Sequence, residues 1–289
     1  MTMTPQPVWK LDALLGEGPV WLEREQAIRF VDIKRGLLHC FDVKTKVGET
    51  LNVGGNPSFI VPDTDGGLVV GANHGLYHLE GEVLGRCIAT IPQPTHNRTN
   101  DATVDVLGRL WFGTMDDEEQ QSTGAVWCLD KGVLHPTDVS AVVTNGPAIS
   151  TDGRFLYHVD SGARTIWRFP LGAEPQLTGG EVFIQLSESD GHPDGVVVDS
   201  EDCLWVALWD GWGVRRYAPD GRLLAHVALP CARVTKLAFG GTDLKTAYVT
   251  TARVGLSDTE LAEQPLAGSL FAFDAPAAGR ILPPVRLAN

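Results

Sequence analysis

Six polar side chains stand just ahead of six short apolar runs: Glu17 in "GEGPVW", Asn56 in "GNPSFIV", Asn100 in "TNDATVD", Asn145 in "TNGPAIS", Asp194 in "PDGVVVD" and Lys236 in "TKLAFG". The set comprises two carboxylates, three carboxamides and one ammonium. Three neighbouring oxygen donors of this kind form a cradle for a hard divalent cation, which takes carboxylate, carbonyl and water oxygens and tolerates open positions. Each stretch by itself is an ordinary turn, because Gly, Pro, Asn and Asp are what turns are made of. Their meaning depends on whether the elements around them bring them together.

Those elements repeat. Two short apolar or aromatic runs around a polar turn recur six times, in "AIRFVDIKRGLLHCFD", "GLVVGANHGLYHLE", "RLWFGTMDDEEQQSTGAVWCLD", "RFLYHVDSGARTIWRF", "CLWVALWDGWGVRRY" and "TAYVTTARVGLSD" continued by "GSLFAFD". Taking Phe30, Val69, Trp111, Tyr157, Trp205 and Tyr248 as equivalent, the steps are 39, 42, 46, 48 and 43 residues. That is the period of a four-stranded propeller blade. The runs are rich in Val, Leu, Phe, Tyr and Trp and bounded by Gly, Asp or Asn, which is strand chemistry with turn punctuation. The sequence therefore predicts an all-β fold: one domain over residues 1–289, a six-bladed β-propeller of four-stranded antiparallel blades. The N-terminal run "PVWKLDALLG" is expected to close the ring as the outer strand of the last blade.

The six polar residues precede the six reference positions by 13, 13, 11, 12, 11 and 12 residues, from Glu17 before Phe30 to Lys236 before Tyr248. This places them on the innermost strand of each blade, facing the central channel, with Gly or Pro beside several of them letting the backbone turn inward. Their common register favours one shared site over six separate turns.

Composition removes several alternatives. A net charge of −13 with no Lys/Arg cluster argues against nucleic acid or an anionic membrane as partner. The N-terminal stretch has no basic segment followed by an apolar one, and no window approaches a membrane span, so a cytoplasmic protein is expected. Cys40, Cys87, Cys128, Cys203 and Cys231 form no Cys-x-x-Cys pair and are expected to be reduced. There is no Gly-x-Ser-x-Gly elbow for a serine hydrolase, and no Cys/His cluster for a usual zinc site.

The stretches "GEGPVW" (16–21), "NRTNDATVDVLGRLWFGTM" (97–115), "TNGPAIS" (144–150) and "PDGVVVDSEDCLWVALWDG" (193–211) resemble, in order, the senescence marker protein, gluconolactonase and luciferin-regenerating enzyme family of six-bladed propellers. Within it the chain is most similar to bacterial aldonolactonases, including pentonolactonases of xylose and arabinose catabolism. The resemblance implies Glu17, Asn145 and Asp194 as metal ligands, with Asp194 also the proton-transferring residue. It implies Arg98, Asn100 and Glu118 as substrate contacts; Asp116, Asp117 and Glu119 are neighbouring alternatives to Glu118. His96 and His192 are the histidines near the expected mouth.

The implied reaction is hydrolysis of a neutral sugar lactone to its aldonate, with a divalent cation polarising the carbonyl and activating water. Calcium, magnesium, manganese, ferrous iron and zinc all accept such ligands. No protein partner is implied. The alternatives are a hydrolase of non-sugar lactones or phosphotriesters on the same scaffold, and a binding propeller with a structural cation.

Overall fold

In the computed structural model, which describes residues 3–287, the strands form six four-stranded antiparallel sheets. The inner strands are Gly16–Leu22, Pro57–Pro62, Asn97–Val104, Thr144–Ile149, His192–Val198 and Val234–Gly240. Each packs against the next, and the last packs against the first, so the sheets form a ring of blades 1 to 6. In blades 1 to 5 the strands follow in chain order, whereas blade 6 joins Val234–Gly240, Thr246–Thr251 and Leu270–Asp274 to Gln6–Trp9 at its outer edge.

Burial runs as radial packing requires. The inner strands are buried almost throughout, whereas outer strands such as Val83–Thr90 are mostly half-buried or exposed. The six reference residues all lie on second strands and are buried. Six apolar clusters fill the six interfaces between neighbouring blades. At one of them Trp205 of blade 5 meets Phe239 and Phe273 of blade 6, with ring centroids 5.9 and 5.7 Å apart. Removing such a ring costs about 3–5 kcal/mol.

Every inner strand carries a register shift near its channel end: between Glu17 and Val20, Pro57 and Phe59, Thr99 and Ala102, Asn145 and Ala148, Pro193 and Val196, and Val234 and Lys236. A bulge leaves residues unpaired and re-aims their side chains. Glycine makes two of these bulges fit. Gly18 has φ +55°, and a Cβ there would lie 2.8 Å from the Ser58 carbonyl oxygen. A Cβ on Gly195 would meet Lys236 Cγ at 2.5 Å.

All five cysteines are free. Among the described residues no helix is long and apolar enough to cross a membrane.

Candidate functional site

The bulges open onto a cavity of about 690 Å³ at one end of the channel, lined by Glu17, Arg98, Asn100, Asn145 and Asp194. Five of the six sequence-predicted site residues therefore meet at one place. Their registers differ. Glu17 and Asn145 sit at the last paired position before their bulges, and Asn100 and Asp194 lie inside theirs. Asn56 precedes its strand and is not in the lining; Ser58 occupies the blade 2 bulge. Lys236 lies beyond its bulge, where its ammonium donates to Asp101 Oδ1.

Glu118 is not brought to the cavity, and its side chain is exposed. The reason is local. Asp116 accepts hydrogen bonds from the backbone N–H groups of Glu118, Gln120 and Gln121 at 3.2, 3.0 and 2.9 Å, rolling the acidic loop into a tight turn with Glu119 at φ +57°. Asp117 and Glu119 then face the cavity. His96 hydrogen-bonds Thr123 at 3.1 Å outside the lining, whereas His192 lines it. His192 Nδ1 donates to the Ser161 carbonyl at 2.9 Å, and Nε2 accepts from the Arg164 guanidinium at 3.2 Å. Asp220 is an exposed turn residue accepting from the Arg222 N–H at 3.0 Å.

A chain of hydrogen bonds crosses blades 3, 4 and 5. Asp117 Oδ1 accepts from Lys34 at 2.6 Å and from Arg98 Nε at 2.5 Å. Arg98 Nη1 donates to Asn100 Oδ1 at 2.6 Å, Asn100 Nδ2 to Asn145 Oδ1 at 2.9 Å, and Asn145 Nδ2 to Ser161 Oγ at 3.0 Å. Ser161 Oγ donates to the Pro193 carbonyl at 2.7 Å, beside Asp194. Both ends of the Asn145 amide are thereby fixed, and its oxygen retains a lone pair.

The carboxylates are placed differently. Glu17 and Asp194 are each 6 % exposed. Glu17 accepts one hydrogen bond, from the Gly18 N–H at 2.6 Å, and no donor reaches the Asp194 carboxylate among the described residues. Burial, then the charge of Asp101, pushes Glu17 up to about 8. Burial, then the charges of Glu17 and Asp101, pushes Asp194 well above the usual carboxylate range. Lys236 pulls both down but is engaged by Asp101. Among the described residues no three His, Cys, Asp or Glu side chains form a metal cage. The donors here are two carboxylates and a carboxamide oxygen, a set that suits an oxygen-liganded divalent cation, and such a charge would relieve the repulsion.

Lys34, Ser161 and Asp210 were not singled out from sequence, and Asp117 only as an alternative to Glu118, though all four line the cavity. They share a signal: they follow the reference residues Phe30, Trp111, Tyr157 and Trp205 by 4, 6, 4 and 5 positions, at the channel end of the second strand.

The SMP-30/Gluconolactonase/LRE-like region matches residues 15–253. The chain is 36% identical to a 6-deoxy-6-sulfogluconolactonase of Pseudomonas putida over 94% of its own length and 95% of that protein's. It is 32% identical to a pentonolactonase of Haloferax volcanii, covering 96% and 97% of the two chains. The crystal structure of a calcium-binding protein, regucalcin, from Agrobacterium tumefaciens superposes with a TM-score of 0.94 at 28% identity, covering 99% of both chains.

Proposed function

The chain belongs to the SMP-30/gluconolactonase/LRE-like family, and on that premise we propose that it hydrolyses a sugar lactone to the aldonic acid with the help of one divalent cation. The observation that carries the reading is the pair of buried carboxylates, Glu17 and Asp194, lacking a free counter-charge beside the Asn145 oxygen at a cavity large enough for a sugar. Bound by Glu17, Asn145 and Asp194, a divalent cation supplies Lewis acidity to the lactone carbonyl and lowers the pKa of water. The calcium-binding regucalcin relative supports such an ion.

Asp194 acts as base and acid, since no hydrogen bond holds its carboxylate. It removes a proton from the attacking water as the new C–O bond forms, then delivers it to the ring oxygen as the acyl C–O bond breaks. Arg98, held by Asp117, steadies the negative charge that develops on the carbonyl oxygen. Arg98 and Asn100 also hold sugar hydroxyls. At the acidic loop, Asp117 and Glu119 take this role in place of Glu118, a reading supported by their position in the lining. Residues 1–289 act as one domain, a reading supported by the packing of each blade on the next. The free thiols fit a cytoplasmic setting.

The test is hydrolysis of a panel of aldonolactones by chelated and metal-reconstituted protein, with Asp194→Asn and Arg98→Ala in parallel. Loss of activity on chelation and in both variants is expected. Turnover indifferent to all three treatments would overturn the mechanism, and lactone binding without turnover in the wild type would favour a sensor.

A further inference from the structure

Arg98 and Asn100 belong to blade 3, and in a ring of six the blade opposite is blade 6. There the cavity wall is built from Arg233, just ahead of the inner strand, with Trp209 and Asp210 from neighbouring blade 5. The Arg233 guanidinium lies 4.8 Å from the Trp209 ring centroid. Its Nε donates to Asp210 Oδ1 at 3.0 Å, and its Nη1 donates to the Val254 carbonyl. Among the described residues Nη2 donates to nothing and Asp210 Oδ2 accepts nothing. Asp210 holds this position with φ +57°, a left-handed conformation found where the surroundings over-determine the backbone.

The wall thus offers a fixed donor and a fixed acceptor side by side, with the Trp209 indole lying under the guanidinium and holding it in place. A vicinal diol matches the polar pair: one hydroxyl accepts from the guanidinium while its neighbour donates to the carboxylate. We infer that Arg233, Asp210 and Trp209 form a specificity wall that binds the exocyclic diol of a sugar lactone across the cavity from Arg98. This rests on the lactonase reading and adds which lactones are preferred: those with a hydroxylated side chain on the ring.

The test compares D-galactono-γ-lactone, which carries an exocyclic diol, with erythrono-γ-lactone, which has ring hydroxyls and no exocyclic carbon. Arg233→Lys keeps the charge and loses the fork. Asp210→Gly removes the carboxylate where glycine adopts the backbone without strain. Both variants should lower kcat/KM for the galactonolactone roughly 10- to 100-fold, through KM, the range for losing hydrogen bonds to charged groups. The erythronolactone should be unaffected. Equal losses on both lactones would assign the wall a purely structural role, and no loss on either would remove it from recognition; each overturns the inference. Calorimetric binding of both lactones to Asp194→Asn protein, with and without Arg233→Lys, separates the two readings. If the wild type hydrolyses neither lactone, the lactonase reading fails, and selective loss of galactonolactone affinity still decides the diol site.

Discussion

The inner strands carry buried acids near both ends, and the two groups are treated in opposite ways. At the end away from the cavity, Asp105 accepts from the N–H groups of Leu107 and Arg109 at 2.9 and 3.0 Å, from Arg109 Nε at 2.6 Å and from Trp111 Nε1 at 2.8 Å. Two blades on, Asp199 repeats the design with Glu201 and Cys203 N–H groups, Arg216 Nε and Trp205 Nε1, at 2.9, 3.0, 2.8 and 2.9 Å. At the cavity end, Glu17 has one such bond and Asp194 none. Burial is similar in both groups, so the difference lies in donors. A satisfied carboxylate ties a hairpin to its strand, whereas an unsatisfied one keeps its lone pairs for a cation, a water or a proton.

The comparison breaks if the cavity-end acids turn out to be structural. Asp194→Asn should lower kcat by about 10²–10⁴-fold, the span of general acid–base catalysis, without reducing resistance to urea in metal-free protein. A large loss of stability with kcat retained by the folded fraction would reverse the assignment. Asp105→Ala should do the opposite. It strands the Arg109 guanidinium, whose side chain is 2% exposed, at a cost of about 3–5 kcal/mol in urea unfolding, while kcat of the folded protein stays near wild type.

A smaller effect sharpens the same contrast through pH. Glu17 is pushed up to about 8 in the folded chain from an ordinary 4.5. Between those values the metal-free folded protein holds a proton that the unfolded chain has lost, so stability falls as pH rises through the window. Asp194 shifts in the same direction and adds to the slope. The loss should be on the order of a few kcal/mol or less by denaturant titration at pH 5 and pH 8. Saturating divalent cation should flatten it, because both carboxylates are then ionised at either pH. A metal-free protein equally stable at both would show that neither acid is strained by burial.

The repeat made the blades and the channel legible, since Trp111, Tyr157 and Trp205 recur with strand-like runs and their burial fixes the interfaces. The same counting found Glu17, Asn100, Asn145 and Asp194, because each stands at a bulge, and Gly or Pro marks three of the four, the Asn100 bulge having neither. It failed at Asn56 and Lys236. Those two blades oppose two inner-strand positions to one at the bulge where the others oppose three to two, so a constant offset lands outside it. The Asp105 and Asp199 hairpins lie in "VDVLGRLW" and "VDSEDCLW", where the turn residues alone do not show that Trp and Arg side chains fold back onto the aspartates. Ser161 and Arg233 act through partners on neighbouring blades, and no local pattern encodes those meetings.

The acidic loop provides the finest division, between neighbours. Asp117 is one third exposed and bridges Lys34 and Arg98; burial raises its pKa, but the two cations outweigh burial and hold it below the usual carboxylate range. Asp117→Asn leaves Arg98 without its anchor, and losing a hydrogen-bonded charge at partial exposure should reduce kcat/KM about 3- to 10-fold. Glu118→Gln, one residue on and facing solvent, should change it by less than about 2-fold, as surface substitutions away from such contacts do. Steady-state kinetics on one lactone measures both. If Glu118→Gln proves the more damaging, the loop must rearrange around substrate, and the turn held by Asp116 is the part of the site that moves.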